Sequence, residues 1–412
     1  MPADPHDPFA PFRLRDYRLF VALVFVTTLV QQAQTVAIGW DLYERTGSAL
    51  ALGWLGLAQF LPVVLFFLPA GHLADVLDRR WAVVLSLGLW GASNVLLAWI
   101  AAASAPVGWM YVAAAGVGAA QVINRPARDA LMPQILPAGL VGRAMAWNST
   151  LFQFASIAAP ALAGAMIAAT HGATSVYALN VALAAIGMGL VLLIRHYPVL
   201  RPVQRRSLGD LLAGVVHVWR TKTILGVITL DLFAVLFGGI TALLPMFAKD
   251  ILHVGPAALG WLSAAPAMGA TAMSVIQGMR RPFRRPGMVF VWSVAGFGVA
   301  IAVFGLSTWF PLSFAALAVS GALDNVSVVI RATVVALDTP DALRGRVSAV
   351  NRVFISSSNE LGAFESGVLA ALTSPVFTAV FGGVATVVFV VGALRLFPEL
   401  RRMGSEGRAE VS

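Results

Sequence analysis

The sequence contains no cysteine and very little charge. Without cysteine the chain can form neither a disulfide nor a thiolate metal site. Its six histidines show no ligand spacing such as HxxxH, so we expect no metal ion. We expect no cofactor either. Asp, Glu, Lys and Arg make up only 11% of the 412 residues, against about 25% in soluble domains, whereas 59% are hydrophobic. A soluble fold of this length cannot bury so much apolar surface, so the composition predicts an integral membrane protein.

Long apolar runs predict the membrane-spanning segments. A helix needs about 20 apolar residues to cross the hydrocarbon core. The runs are continuous and too long for the strands of a barrel, so we predict an all-α protein. Twelve spans are expected, at 19–42, 49–70, 81–103, 108–126, 143–169, 174–195, 223–248, 256–279, 287–306, 309–331, 344–372 and 376–397.

The basic residues give these spans an orientation. Of the 28 Lys and Arg residues, only Arg45 and Lys249 fall on the side that faces away from the N-terminus. Because positive charge is retained in the cytoplasm, we expect both termini to be cytoplasmic and the spans to lie in the inner or plasma membrane. The arginines are dispersed over loops and tails, which favours contact with the lipid bilayer and excludes a nucleic-acid partner.

The chain contains an internal duplication. Residues 128–148, RDALMPQILPAGLVGRAMAWN, align with 331–351, RATVVALDTPDALRGRVSAVN, at an offset of 203 residues. This offset maps span 4 onto span 10 and span 5 onto span 11, which predicts two pseudo-symmetric six-helix bundles. We place the bundles at 19–195 and 223–397, cytoplasmic tails at 1–18 and 398–412, and a linker with an amphipathic surface helix at 196–222.

Polar residues inside the spans follow the same offset. Gln121, Asn124 and Arg128 share one face of span 4. Asp324, Ser327 and Arg331 share the equivalent face of span 10. Polar faces are unfavourable in contact with lipid, so they predict a polar cavity for a small-molecule substrate. The residues that we expect to line it are Gln31, Gln34, Gln121, Asn124, Gln153, Arg352 and Asn359.

Acidic residues within the spans are candidates for proton coupling. An unpaired charge at mid-bilayer costs at least about 2.5–3.5 kcal/mol, so an ionisable residue there is a functional hypothesis by default. A carboxylic acid in a low dielectric can load a proton and release it as access alternates. The alternative is a structural salt bridge, for which Arg352 lies near Glu360 and Arg331 near Asp324 in the sequence. In order of preference the candidates are Asp231, Glu360, Asp324, Glu365 and Asp41.

The decapeptide GHLADVLDRR at 71–80 lies between spans 2 and 3 and concentrates charge in an apolar region. A glycine, an acid four residues later and a basic pair at this loop resemble the major facilitator superfamily, and the resemblance covers nearly the whole chain. It implies that fold and a secondary transporter that works by alternating access, not an enzyme. It also implies a cytoplasmic latch between the halves. The latch residues and their candidate partners are Gly71, Asp75, Arg79, Arg80, Arg128 and Arg346.

Further stretches bear on the direction of transport. APALAG at 159–164 resembles the antiporter signature of the superfamily, with alanines where glycine is usual, and implies a bend at Pro160 and Gly164. WDLYERTGSALALGWLGLAQFLP at 40–62 and RPARDALMPQILP at 125–137 look like the branch of siderophore and drug exporters. The expectation is a monomeric, proton-coupled exporter of a small amphipathic organic compound. An importer or uniporter, and a receptor or scaffold without transport, remain as alternatives.

Overall fold

The computed structural model describes residues 7–76, 78–195, 208–281, 283–341 and 343–402. Within these ranges it does not describe the side chains of residues 66–76, 138, 208–212, 349, 352, 353, 356 and 402. The predicted tails at 1–18 and 398–412 and the linker at 196–222 therefore lie partly outside the described residues.

Helices build the fold, and no strand occurs in these ranges. Short 3₁₀ segments lie at Ala10–Arg13, Ala138–Leu140 and Gly239–Leu243, and a π segment at Phe247–Ile251. The α-helices are α1 Arg15–Thr46, α2 Ala49–Val76, α3 Arg79–Ala103, α4 Gly108–Ile135, α5 Val141–Thr170, α6 Thr174–Leu193, α7 Leu208–Arg220, α8 Lys222–Phe237, α9 Leu244–Met246, α10 Pro256–Met279, α11 Pro286–Leu306, α12 Phe310–Leu337, α13 Arg344–Leu372, α14 Pro375–Leu396 and α15 Glu399–Arg402.

The helices match the predicted spans. In the part of the chain that is described, nine helical stretches are long and apolar enough to cross a membrane. Helices α4 and α13 are equally long but carry the polar faces noted above, and α2 is described with its side chains only as far as 65. The all-α membrane architecture is confirmed.

The seventh predicted span is not one continuous helix. Helix α8 ends at Phe237, and a 3₁₀ segment, α9 and a π segment follow. Gly238 and Gly239 weaken the helix at this point, and Pro245 has no backbone N–H to donate. The break also lets α13 come close, since a Cβ at Gly239 would lie 2.5 Å from the carbonyl carbon of Gly362. The apolar run predicted the length of this span but not its interruption.

The contacts divide the chain into two compact units. The first comprises Met1–Thr46, Ala58–Arg205 and Gly255–Gly260, and the second comprises Gly47–Leu57, Arg206–Val254 and Trp261–Ser412. Helix α3 packs on α4 and α6, and α1 on α5 and α6. In the second half α11 packs on α12 and α14, and α8 on α13 and α14. Each pairing in the first half thus recurs in the second, as the duplication predicts, while the bundle limits 19–195 and 223–397 stay a prediction.

Helix α7 lies in the predicted linker. It packs on the start of α13, where a Cβ at Gly214 would lie 3.0 Å from the carbonyl oxygen of Arg346. His217 Nε2 lies 3.3 Å from the carbonyl oxygen of Asp338. Val218 is buried on the same side, whereas Trp219 is 67% exposed. The expected location on the cytoplasmic membrane surface stays a prediction.

The N-terminal segment is fastened to the start of α5. Phe9 and Phe12 both pack against Trp147, with ring centroids 5.2 Å apart in each pair. Trp147 Nε1 donates to the carbonyl oxygen of Pro8 at 2.9 Å. Arg143 Nη1 donates to the carbonyl oxygen of Asp7 at 3.1 Å. One tryptophan therefore supplies both the apolar contact and a hydrogen bond that hold this segment.

We expect Trp147→Ala to release the N-terminal segment. The variant loses two ring contacts and one hydrogen bond, so trypsin should cleave after Arg13 about tenfold faster in purified protein. The control is Trp292→Ala on α11, where the tryptophan is 69% exposed. Equal cleavage rates in Trp147→Ala and wild type would show that Trp147 does not hold the segment.

Candidate functional site

A buried ion pair lies in the second unit. Asp231 on α8 is 4% exposed and Arg331 on α12 is 5% exposed. Arg331 Nη1 donates to Asp231 Oδ2. The sequence analysis offered Arg331 as a salt-bridge partner for Asp324, but in the structure Arg331 pairs with Asp231. Two charges removed from solvent depend on each other here, because the loss of either leaves its partner buried and unpaired.

Asp231 of this pair lines a small pocket, which we call the acidic pocket. Asp324 shares it with Asp231, so two of the predicted coupling residues come together. Ser327 Oγ donates to the backbone carbonyl oxygen of Asp324 at 2.8 Å. Among the described residues Asp324 makes no salt bridge. The lining consists of Asp231, Ala234, Val235, Ser293, Val294, Phe297, Leu323, Asp324 and Ser327.

A second pocket, the amide pocket, lies in the first unit between α1, α2 and α4. It brings together the predicted cavity residues Gln31, Gln34 and Gln121 and adds Gln59, which the sequence analysis did not name. The full lining is Gln31, Gln34, Thr35, Ile38, Gln59, Val117 and Gln121.

Helix α3 holds Gln34 in place. Trp90 Nε1 donates to Gln34 Oε1 at 2.5 Å, and Asn94 Nδ2 donates to the same oxygen at 3.3 Å. Asn180 Nδ2 on α6 in turn donates to Asn94 Oδ1 at 3.2 Å. The sequence reasoning missed these three residues, although isolated amides inside apolar spans are a signal that could have found Asn94 and Asn180.

The duplication relates the two pockets and shows how they differ. At the offset of 203 residues, Gln121 of the amide pocket corresponds to Asp324 of the acidic pocket. Asp231 corresponds to Thr28 at the same offset. Arg128, the counterpart of Arg331, donates to the hydroxyl of Thr27 at 2.9 Å rather than to a carboxylate. Each half thus keeps an arginine next to its first helix, but Arg331 pairs with a carboxylate of that helix, whereas Arg128 donates to a threonine hydroxyl.

The other coupling candidates lie apart from the acidic pocket. Glu360 lies where α13 meets α2, since a Cβ at Gly56 would be 3.3 Å from its carbonyl oxygen. Ser366 Oγ donates to Glu365 Oε2 at 3.4 Å. Asp41 accepts from Arg45 Nε at 2.7 Å and from the Tyr177 hydroxyl at 3.2 Å. Asp41 is therefore held in a local ion pair.

The remaining cavity candidates with described side chains do not line the amide pocket. Asn124 is buried and donates to Ser86 Oγ on α3 at 2.8 Å, so it links two helices. Asn359 is exposed and donates to the carbonyl oxygen of Ile355. Gln153 is half-buried on α5, and the side chain of Arg352 lies outside the described residues. In the described ranges no cluster of His, Asp or Glu can hold a metal ion.

Comparison with known proteins decides the family. The sequence profile of the Major Facilitator Superfamily matches residues 20–281, more than half of the chain. The chain belongs to the major facilitator superfamily. It is therefore a multi-pass membrane transporter and not an enzyme.

Relatives and solved structures agree with this assignment. The chain is 27% identical to the enterobactin exporter EntS of Citrobacter koseri over 388 residues, 93% of this chain and 91% of the relative. It is also 27% identical to EntS of Shigella boydii serotype 18, over 81% of this chain and 80% of the relative. The crystal structure of a D-xylose–proton symporter shares the fold, with a TM-score of 0.72 at 13% identity over 93% of this chain and 99% of the symporter.

The superfamily latch at 71–80 is described only in part. The side chains of Gly71 and Asp75 lie outside the described residues. Arg79 Nη1 donates to the carbonyl oxygen of Ala130 near the end of α4 at 2.8 Å. Arg80 Nη2 donates to that of Leu192 near the end of α6 at 2.7 Å. The basic pair therefore bonds backbone carbonyls near the ends of two helices, and Leu192 is among the last carbonyls of α6, which lack a helical partner. The latch itself stays a prediction.

The antiporter-like stretch forms a close helix crossing. A Cβ at Gly164 on α5 would lie 2.9 Å from Gly260 Cα on α10. A Cβ at Gly260 would lie 3.2 Å from Ala161 Cα. Small residues at this point let the two backbones nearly touch. Pro160 lies inside α5, which runs without interruption, and the bend stays a prediction.

Proposed function

We propose that this transporter exports a small amphipathic organic compound in exchange for protons. The observation that supports it most directly is the buried Asp231–Arg331 pair beside Asp324. Apolar neighbours exclude water from the pair, so its charge state and the conformation of the protein are coupled.

The chemistry follows from the charges in the acidic pocket. A proton that binds Asp231 neutralises the carboxylate and leaves Arg331 without its counterion. Asp324, the second carboxylate in the lining of the acidic pocket, can then balance the arginine. A shift of Arg331 between the two acids would tie the loading and release of one proton to a rearrangement of α8 against α12.

The direction and the solute class rest on the sequence. The antiporter-like APALAG stretch favours export, and two relatives are named enterobactin exporters. We therefore propose siderophores and comparable amphipathic metabolites or drugs as substrates. Cytoplasmic termini, a monomeric state and a cytoplasmic latch that includes Asp75 and Arg128 belong to the same proposal.

The proposal predicts proton-driven accumulation in inside-out vesicles. With enterobactin as the first probe, vesicles that contain the transporter should take it up when their lumen is acidified, because export in the cell corresponds to uptake here. A protonophore should abolish the uptake, and vesicles without the transporter serve as the control. Net uptake into intact cells instead would identify an importer or uniporter and contradict the proposal.

A further inference from the structure

We propose that the amide pocket is a binding subsite for an uncharged group with a hydrogen-bond acceptor, such as an amide or ester carbonyl, and that Trp90 positions its donor, Gln34. The inference deepens the proposed function and rests on it for the statement that the ligand is the transported solute. The binding itself can be tested without transport.

The lining of the pocket selects against ions. Its polar groups are the carboxamides of Gln31, Gln34, Gln59 and Gln121 and the hydroxyl of Thr35. None of them carries a charge. A charged group that entered would give up part of its hydration and gain no counterion, which is unfavourable. A neutral polar group finds several hydrogen-bond partners.

Trp90 decides which atom of Gln34 is available. An indole N–H can only donate, so the atom of Gln34 that it contacts must be the oxygen. Asn94 donates to the same oxygen, which leaves Nε2 as the free end of the carboxamide. Gln34 is 3% exposed, and its Nε2 has no hydrogen-bond partner among the described residues. A buried donor without an acceptor is unfavourable, and the carbonyl of a ligand would satisfy it.

The neighbouring helices hold this arrangement in register. Asn180 donates to Asn94 and so fixes the orientation of the amide that supports Gln34. Helix α2 runs very close to α4, because a Cβ at Gly118 would lie 2.9 Å from the carbonyl carbon of Gln59. This approach brings Gln59 beside Gln121 in one pocket. The donor is thus part of a packed network of α1, α2, α3, α4 and α6.

Binding to the purified full-length protein tests the subsite. The probes are chloramphenicol, a neutral amphipathic compound with an amide carbonyl, and tetraphenylphosphonium, a cation without an acceptor. Wild type should bind chloramphenicol at least about tenfold more tightly than tetraphenylphosphonium, because one buried hydrogen bond contributes a difference in affinity of this order. Gln34→Glu at mildly alkaline pH should reverse this order, because a carboxylate supplies charge but no donor. Gln277→Glu in the second unit makes the same chemical change outside the pocket and should leave the order unchanged.

Two further variants separate the role of the donor from effects on folding. Gln34→Leu should weaken chloramphenicol binding about tenfold without any gain for the cation. Trp90→Phe frees the carboxamide of Gln34 to rotate, so it should lower the selectivity ratio between the two probes. The double variant Trp90→Phe/Gln34→Leu should have the same selectivity ratio as Gln34→Leu alone. If Trp90 were merely structural, Trp90→Phe would weaken the binding of both probes equally, and its effect would add to that of Gln34→Leu.

The outcomes are distinguishable from those of the proposed function. No saturable binding of chloramphenicol to wild type, or unchanged selectivity in both Gln34 variants, overturns the subsite. Normal selectivity combined with no pH-gradient-driven transport in vesicles overturns the proposed proton-coupled export and leaves the subsite standing.

Discussion

Replacement of Asp231 by Asn should reduce pH-gradient-driven transport at least about a hundredfold. Asn cannot carry a proton between the two sides, and it cannot neutralise Arg331, its partner in the buried pair. The measurement is the initial rate of solute uptake into inside-out vesicles over a range of imposed pH gradients. The rate that remains should no longer depend on the gradient.

The same change should also lower stability, and the two effects must be separated. Removal of one partner of a buried ion pair costs about 3–5 kcal/mol, although the amide of Asn can still accept a bond from Arg331. The double variant Asp231→Asn/Arg331→Gln removes both charges, so its Tm should recover while its pH-gradient-driven transport stays low. Recovery of both would mean that the pair is structural.

Solute exchange and a loop variant provide the controls. Counterflow, in which labelled solute exchanges for unlabelled solute without net proton movement, should persist in Asp231→Asn. Asp341→Asn changes an acid of an exposed pair, with its side chain 86% exposed, and should transport like wild type. If Asp231→Asn transports normally at every pH, the acidic pocket does not couple transport to protons.

Gly321→Ala should sharply reduce the amount of folded transporter. A Cβ at Gly321 on α12 would overlap the carbonyl oxygen of Pro266 on α10 and lie 2.5 Å from its carbonyl carbon. The contact is reciprocal, because a Cβ at Gly269 would lie 2.6 Å from the carbonyl carbon of Ala318. Two backbones that touch in two places cannot accommodate a methyl group unless one helix moves, so we expect a cost of about 3 kcal/mol or more.

The measurement is the yield of monodisperse protein after detergent extraction, together with its Tm. Gly189→Ala on α6 is the matched control, since nothing lies within 4 Å of a Cβ there. That variant should be as stable as wild type or gain up to about 1 kcal/mol, because alanine favours a helix. Equal yields for the two variants would show that α10 and α12 can move apart at their crossing without loss of the fold.

The position of Gly321 also shows how the duplication acts on packing. At the offset of 203 residues it corresponds to Gly118, whose missing Cβ admits the carbonyl of Gln59 on α2. A close helix crossing therefore recurs at one place in both halves, although the surrounding sequences have diverged. Both halves keep a glycine at this position, and an alignment of polar motifs alone does not reveal it.

The sequence by itself determined where the long apolar segments lie and showed the duplication. Hydropathy along a membrane helix is a local property, because lipid requires about 20 apolar residues whatever the neighbouring helices are. The faces that carry Gln121 and Asp324 were equally predictable, since helical periodicity places residues without any knowledge of packing. In this way each polar residue could be assigned to a helix and a face, but its contact partners on other helices could not be predicted.

Only the tertiary structure decided which of those residues meet. Arg331 is seven residues from Asp324 and a hundred from Asp231, yet it pairs with Asp231 because α8 packs against α12. No sequence pattern singled out Gln59 or Trp90. Gln59 lines the amide pocket because α2 approaches α4, and Trp90 donates to Gln34 because α3 approaches α1. Contacts between helices depend on how several surfaces fit at once, and no local pattern in the chain specifies that fit.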